Sequence, residues 1–559
     1  MPHEGRLMGL ETEYALRISA NSDDSVSALS HRDAYESICR SLCSRLPAAE
    51  ADPVEGAKLG WFLGTGGAVW FESLMPTSDV GLVEGATPEC RRVRDLVACQ
   101  RAQDRLLSEA AQQSGVSLIK NCHDADGNVY GAQESYEVPF GPESRLRWWR
   151  YGCFLVVLPC AILLQLGAIA GICCLLLTLP ITALIHQLRC LFVSSPQTRQ
   201  ASFDFWVGRS WRKGWNGFDV PLGGWLGKSV LRLAQLLAFP VTCAVFLLLH
   251  VTDLPRIHRQ LCAFLVTRML FTGAGRVLSD GSFLMAEKAE AVNCVTGLPE
   301  YSRPMLSIGQ FIKPAIVLVR FAELLKPRQR VQISIGDSNL CEEAEFLRVG
   351  TTLLVIDLIC SRQNISLPQL RNPIRSMRAL SRDFGPEQRF RLKDGTDATG
   401  LEIQRLYLEA CRQYVSRERQ GDAEANEVIE RWGEILDCLE RDPELLIGRV
   451  DWVTKKFLLD QAEATASIAA GPMPMCESSV AARQKIDVKY HELTENGYFR
   501  QFETTGLHQR LLDAAQIEAA MRLPPAGTPA TTRARLIREY SGAGLKVGWR
   551  KLSNGMKIE

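Results

Sequence analysis

Net charge, paired cysteines and an apolar leader are all missing from this sequence. The formal charge over 559 residues is +1 at neutral pH, so no bulk field selects nucleic acid or acidic partners. The 18 cysteines are scattered and show no metal-ligand pairs, which argues against a structural zinc site. Cys153, Cys160, Cys173 and Cys174 lie inside apolar runs, as expected of reduced thiols in a cytoplasmic protein. Met1 to Arg6 lead into the first strand without an apolar h-region, so no signal peptide is expected. No internal repeat is visible. A chain of this length is expected to bury a large core and to form two or more units.

Charge is also missing locally. No residue is charged from Tyr151 to Ile185, nor again from Leu233 to Val251. The first run exceeds, and the second just meets, the ~20 residues that cross a bilayer. Segment 145–258 therefore reads as a helical transmembrane insert, flanked by Arg145, Arg147 and Arg150 and by Arg256 and Arg259. Two crossings return the chain to the side it left, as one catalytic unit split by an insert requires. The connecting segment 186–232 carries Arg189, Arg199, Arg209, Arg212, Lys213, Lys228 and Arg232, and positive-inside reasoning prefers it in the cytoplasm. A first run that is itself a hairpin, bent near Gly167–Gly171, with the second run re-entrant or interfacial, would reconcile the two. Gly167-x-x-x-Gly171 also fits a helix-packing face.

What is present begins with Met8-Gly9-Leu10-Glu11-Thr12-Glu13-Tyr14. As a strand this stretch alternates, with Glu11 and Glu13 on one face and Leu10 and Thr12 on the other. Two carboxylates there suit either a solvated edge or a site neutralised by a hard cation such as Mg²⁺. A helix is expected around His31–Leu46 with Ser30 as N-cap, then a strand at Ala68–Glu72 ending in a carboxylate. A helix over about Arg91–Ser114 and strands at Val116–Lys120 and Val129–Val138 follow. Past the insert come a helix at Leu261–Leu270, a strand at Val331–Gly336 delivering Asp337-Ser338-Asn339 into a turn, and an apolar-striped helix at Cys341–Cys360. Helices with charged outer faces occupy Leu401–Leu458, and Pro472–Pro474 and Pro524–Pro529 mark late loops. Antiparallel strands with helices to one side make an α+β fold.

These stretches resemble the Pup ligases and the related Pup deamidase/depupylases, bacterial enzymes of the glutamine-synthetase-like fold. The resemblance runs through residues 8–14, Glu84-Gly-Ala-Thr-Pro-Glu-Cys90, Lys120-Asn121, Asp126-Gly-Asn-Val-Tyr-Gly131 with Glu134 and Tyr136, and, after the insert, Phe264–Arg268 and Ser302-Arg-Pro304. It continues through Ile335–Asn339, Asn372–Arg375, Ile403–Arg405, Asp451-Trp-Val453, Tyr490-His491 and Thr531–Arg535. It implies an antiparallel sheet cradle with helices on one face, split into 1–144 and 259–480 by the insert, and a small C-terminal domain at 481–559. It also implies ATP and Mg²⁺ as cofactors, with Glu11 and Glu84 as metal ligands; Glu13, on the strand face of Glu11, is a further candidate in the metal site or behind it. Thr87 and Trp452 match ATP contacts. The implied partners are a small Pup-like protein modifier and lysine-bearing targets, with no nucleic acid.

Departures from the pattern are equally specific. The family's catalytic Asp is Glu72, its metal-contacting Tyr is Trp70, its ATP-contacting Arg is Ala68, and two of its His are Gln133 and Gln332. Its acidic, His-containing loop is the largely apolar Met305–Lys326. The resulting expectation is a ligase-like enzyme in the inner membrane, its catalytic domain facing the cytoplasm and Glu72 as general base. The alternatives are a deamidase/depupylase-like hydrolase, or a weakened family member acting as a nucleotide- or modifier-binding adaptor. The short link from the first strand to the base-bearing strand argues for the ligase branch. His491 and Cys90 read as structural.

Overall fold

Alternation along the acidic strand survives folding and puts it in the middle of a large sheet. In a computed structural model, residues 5–18, 29–52, 58–73, 79–124, 127–192, 195–206, 224–299, 301–362, 366–383, 385, 387–470, 477–540, 544, 546–552 and 558 are described. Much of the loop after Asn21, together with Asp126, Arg209, Arg212, Lys213 and Pro472–Pro474, lies outside them. Strand β1 (Met8–Ile18) buries Met8, Leu10, Thr12 and Tyr14 and leaves Glu11 and Glu13 half-buried. Before the insert come β2 (Ala48–Glu50), β3 (Gly60–Leu63), β4 (Ala68–Glu72), β5 (Leu82–Ala86), β6 (Val116–Ile119) and β7 (Ala132–Pro139). After it come a small hairpin of β8 (Arg276–Val277) and β9 (Phe283–Leu284), then β10 (Cys294–Gly297), β11 (Pro304–Ser307) and β12 (Arg328–Ile333). The sheet has ten strands in the order β10-β11-β12-β7-β1-β5-β4-β3-β2, with β6 also paired to β1. Its pairings are antiparallel except β10 with β11. The expected α+β class holds, and β12, from the second half of the chain, is zipped onto β7 from the first.

One face of the sheet is covered by helices. Leu10, Tyr136 and Val138 pack into the main core with helices Val93–Gln113, Leu254–Thr267 and Glu342–Cys360. Ser30 caps helix His31–Arg45 in a capping box with Asp33, as its position predicts. Helix Glu342–Cys360 departs from the expected apolar stripe: residues 342–359 are buried on every side. Its charges survive burial because each is compensated. Glu343 pairs with Arg449, Glu345 with Arg101 at 2.9 Å, and Asp357 with Arg419 at 2.9 Å. Across the sheet, Arg268 holds Glu134 by a bidentate contact of 2.7 and 2.9 Å. The strand expected at Val331–Gly336 starts earlier, at Arg328, and ends at Ile333, the last residue paired with β7.

The C-terminal segment closes the other end of the sheet. Leu536, Ile537 and Val547 pack with Phe62 and Trp70. Arg533, fully buried, donates at 2.7 Å to the Gly66 carbonyl. Gly66 has φ +86° and a Cβ there would meet Ala530 at 2.8 Å, so this turn accepts glycine only.

The two apolar runs are long helices, Leu158–Phe192 and Gly224–Leu249. The first is one helix through Gly167–Gly171, which corrects the hairpin bend expected there. The two helices pair with each other instead. A Cβ on Gly152 would meet Leu248 at 2.4 Å, and one on Gly167 would meet Leu237 at 2.9 Å, with Leu233 the nearest neighbour of Gly171. These contacts run in opposite directions, so the pair is antiparallel and the small residues set its spacing. Stretches Glu143–Gly171 and Arg232–Leu249 are long and apolar enough to cross a membrane, and 22% of the apolar 18-residue window in each is buried, whereas a core helix would be mostly buried. The base of the pair belongs to the body, because Trp149, Val157, Val245 and Leu249 join the main core. The Trp149 indole donates to Leu324 at 2.7 Å and Gln165 to the Ile316 carbonyl at 2.7 Å. The apolar segment Met305–Lys326 thus serves as a seat for the pair, and exposed Val317, Leu318 and Val319 adjoin it.

Candidate active site

Register decides which side chains share the open face. Glu13 stands directly opposite Glu84, and Glu11 opposite Ala86. Glu84 is in turn opposite Trp70, with Glu72 two residues along the same strand. On the other side Glu11 faces Gln133. Direct partners project to the same face, so Glu11, Glu13, Glu72, Glu84, Trp70 and Gln133 all lie on the side opposite the main-core helices, with Trp70 covered there by the C-terminal segment. Like charges placed directly opposite one another are destabilising, and this face places Glu13 against Glu84.

The electrostatics follow from that crowding. Burial pushes the Glu84 carboxyl up to about 8, with Glu11, Glu72 and Glu13 adding to it against the pull of Lys58. Burial also raises Glu13, although the Gly131 N–H donates to it at 2.6 Å. Two cations from the chain itself enter the cluster. Lys58 reaches in from the loop before β3, 2.7 Å from Glu84 and in contact with Glu72. Arg330 on β12 lies 3.2 Å from Glu11 and donates to Gln332, which is bonded to Gln133. Burial works to lower the Lys58 pKa, but Glu84 and Glu72 raise it overall. The donor set is oxygen-rich and net negative, and so fits a hard divalent cation. Among the described residues, however, Glu11, Glu13 and Glu84 do not close into a ready three-oxygen cage.

Neither expected nucleotide contact is free of other work. The Thr87 hydroxyl accepts from Leu10 N at 3.0 Å and is buried. The Trp452 indole donates to the Leu270 carbonyl at 2.9 Å from within the main core. Trp70 packs edge-on against Phe62 and under the C-terminal segment. Asp337 accepts backbone N–H groups of Ala274 at 3.0 Å and Glu287 at 2.9 Å, and Asn339 bonds to Asp451. The Gly-Asp-Ser-Asn turn is therefore a buried joint. Cys90 is buried, as expected.

Sequence reasoning missed Lys58 and Arg330, because no strand periodicity marks a lone loop lysine or a residue at a strand start. It also missed a buried charge network. His123 lies 3.4 Å from both Glu287 and Asp487, and Lys455 lies 2.5 Å from Asp487 and 2.8 Å from His491. His123, Glu287 and Asp487 are close enough to chelate a metal, as are Cys122, Glu287 and Asp337. The Lys455 ammonium already supplies a cation there, so we read the network as a compensated joint between segments before the insert, after it and at residue 487. Burial works to lower the His123 pKa, but Asp487 and Glu287 raise it to about 9. His491 is more than a packing residue, since it is 3.3 Å from Glu287 inside this network.

A family model described as Pup-ligase protein matches residues 6–553. A Pup–protein ligase of Acidimicrobium ferrooxidans is 34% identical over 300 residues, which is 52% of this chain and 62% of that protein. Among solved structures, the complex between the prokaryotic ubiquitin-like protein Pup and its ligase PafA aligns with a TM-score of 0.64 at 19% identity, covering 100% of this chain and 90% of that one. The Pup ligase PafA in complex with ADP aligns with a TM-score of 0.58 at 19% identity, covering 96% of this chain and 90% of that one. At these identities the structures establish the shared fold.

Proposed function

This chain belongs to the Pup-ligase family, and we propose that it is a membrane-anchored ligase joining a side-chain carboxylate of a small Pup-like modifier to a target lysine. The observation that carries the proposal is the single sheet face on which register gathers Glu11, Glu13, Glu72 and Glu84. ATP would activate the modifier carboxylate as an acyl phosphate. Mg²⁺ held by Glu11 and Glu84, with Glu13 beside them, would neutralise charge on the phosphate oxygens. Glu72, at the end of β4, would take the proton from the attacking lysine amine, which is otherwise charged at neutral pH. Thr87 and Trp452 would support the nucleotide by fixing the backbone around it. The Pup–protein ligase relatives support this reading, as does the overall fold shared with a Pup ligase bound to ADP.

Membrane anchoring rests on the helix pair. Beyond Gln165, which still bonds to the body, the first helix continues to Phe192, a rise of ~40 Å that exceeds the ~30 Å hydrocarbon thickness of a bilayer. The body would then sit at the cytoplasmic face of the inner membrane.

A second reading, an adaptor that binds a nucleotide or modifier without turnover, draws support from Lys58 and Arg330, which already pair with the carboxylates. Single-turnover conjugation separates the two. Given its native modifier, a lysine-bearing target and Mg-ATP, the ligase forms an isopeptide bond with release of ADP and phosphate. Binding of modifier and nucleotide without product would establish the adaptor.

A further inference from the structure

Where the second long helix enters the body, the structure holds a cavity of about 440 Å³, unrelated to the carboxylate face. Its apolar wall includes Phe246, Leu249 and Leu254, and its polar wall includes Arg259, Arg371 and Lys393. No acidic residue lines it, and none of the three cations forms an ion pair among the described residues. A fourth polar group stands at the wall. His258 is 4% exposed, its Nδ1 lies 3.1 Å from the Thr296 hydroxyl, and its Nε2 is buried without a hydrogen-bond partner. Burial holds this imidazole neutral, with its pKa lowered to about 3. Arg259, Arg371 and Lys393 are exposed at the rim with no acidic neighbour, so the mouth of this half-apolar cavity carries a positive field suited to an anionic, amphipathic occupant.

We propose that this cavity binds the headgroup of an anionic phospholipid of the leaflet facing the body. Arg259, Arg371 and Lys393 would surround the phosphate, and the acyl chains would lie along exposed Phe246 and Leu247. Position favours lipid over a soluble anion: the cavity opens at the body end of the second long helix, beside exposed Phe246 and Leu247. Basic pockets beside transmembrane helices on the cytoplasmic side recognise such headgroups. The inference rests on the membrane reading of that pair.

The test uses the full chain purified in zwitterionic detergent. Binding of short-chain phosphatidylglycerol, short-chain phosphatidylcholine and inorganic phosphate is measured by calorimetry for the wild type, for R259Q/R371Q/K393Q and for a surface control, R417Q/R441Q/K485Q. Expected is a preference of about tenfold or more for phosphatidylglycerol over phosphatidylcholine, since each cation near an anionic headgroup contributes about fivefold. That preference should vanish in the first variant and persist in the control. Equal binding of both lipids by the wild type, or a preference unaltered in R259Q/R371Q/K393Q, overturns the proposal. Phosphate binding as tightly as phosphatidylglycerol also overturns it, because the lipid would then add nothing. Flotation with neutral vesicles separates the two levels. Protein that floats but shows no lipid preference loses only the headgroup site, whereas protein that never floats loses the membrane reading and the site together.

Discussion

Lys58 lies 2.7 Å from Glu84, the most deeply buried carboxylate of the open face, and competes there with any divalent cation. Removing it should tighten metal binding. Lys58→Met is expected to lower the Mg²⁺ concentration for half-saturation of Mg-ATP binding by about fivefold, the scale of one partly buried ion pair. Glu84→Gln and Glu11→Gln should weaken it. Calorimetric titration with ATP at varied Mg²⁺ measures all three. Weaker Mg-ATP binding in Lys58→Met would instead make Lys58 a phosphate ligand.

Glu72 sits one methylene further out than the family's catalytic Asp. Glu72→Gln is expected to leave Mg-ATP binding within about twofold and to cut transfer to lysine by ~10²-fold or more, the range of general-base losses. Glu72→Asp should retain or raise transfer, because placement within about an ångström governs the rate. Single-turnover conjugation reads both. A Gln variant as active as the wild type would remove Glu72 from the reaction.

The base of the helix pair should not be removable. Joining Gln165 to Pro240 with a short flexible linker excises the exposed part and leaves Trp149, Val157, Val245 and Leu249 in the core. That protein should be soluble and fold cooperatively. Joining Ser144 to Arg259 deletes Trp149 as well, whose loss alone costs about 3–5 kcal/mol, and should aggregate. Thermal melts and gel filtration compare the two. A stable, monomeric Ser144–Arg259 fusion would show that the body closes without the base.

Stability should fall on the alkaline side through His123. Its pKa in the fold, about 9, stands above its ordinary 6.5, so its contribution is complete below pH 6.5 and is lost as the pH rises through 9. Asp487 is shifted down from 3.8, so its share is complete above that value and is lost as the pH falls. Denaturant unfolding between pH 6.5 and 9.5 should show a loss of ~2 kcal/mol. His123→Gln should be less stable at pH 6.5 and nearly flat across that range. An equally steep decline in the variant would assign the titration elsewhere.

The sequence alone determined the local structure where one period dominates. Alternation of Leu10, Glu11, Thr12 and Glu13 is enough to place the acidic side chains on one face, since a strand has only two faces. Ser30 and Asp33 mark a helix start, and two uncharged runs mark two long helices. Tertiary structure decided everything that depends on register and on which distant segments meet. That Glu13 opposes Glu84, that Lys58 and Arg330 close on the carboxylates, and that Trp70 is packed beneath Leu536 and Val547 all follow from strand pairing and C-terminal docking. Local pattern carries no such information. The same holds for Gly167 against Leu237: a small residue permits close approach, but only the packed pair says to what.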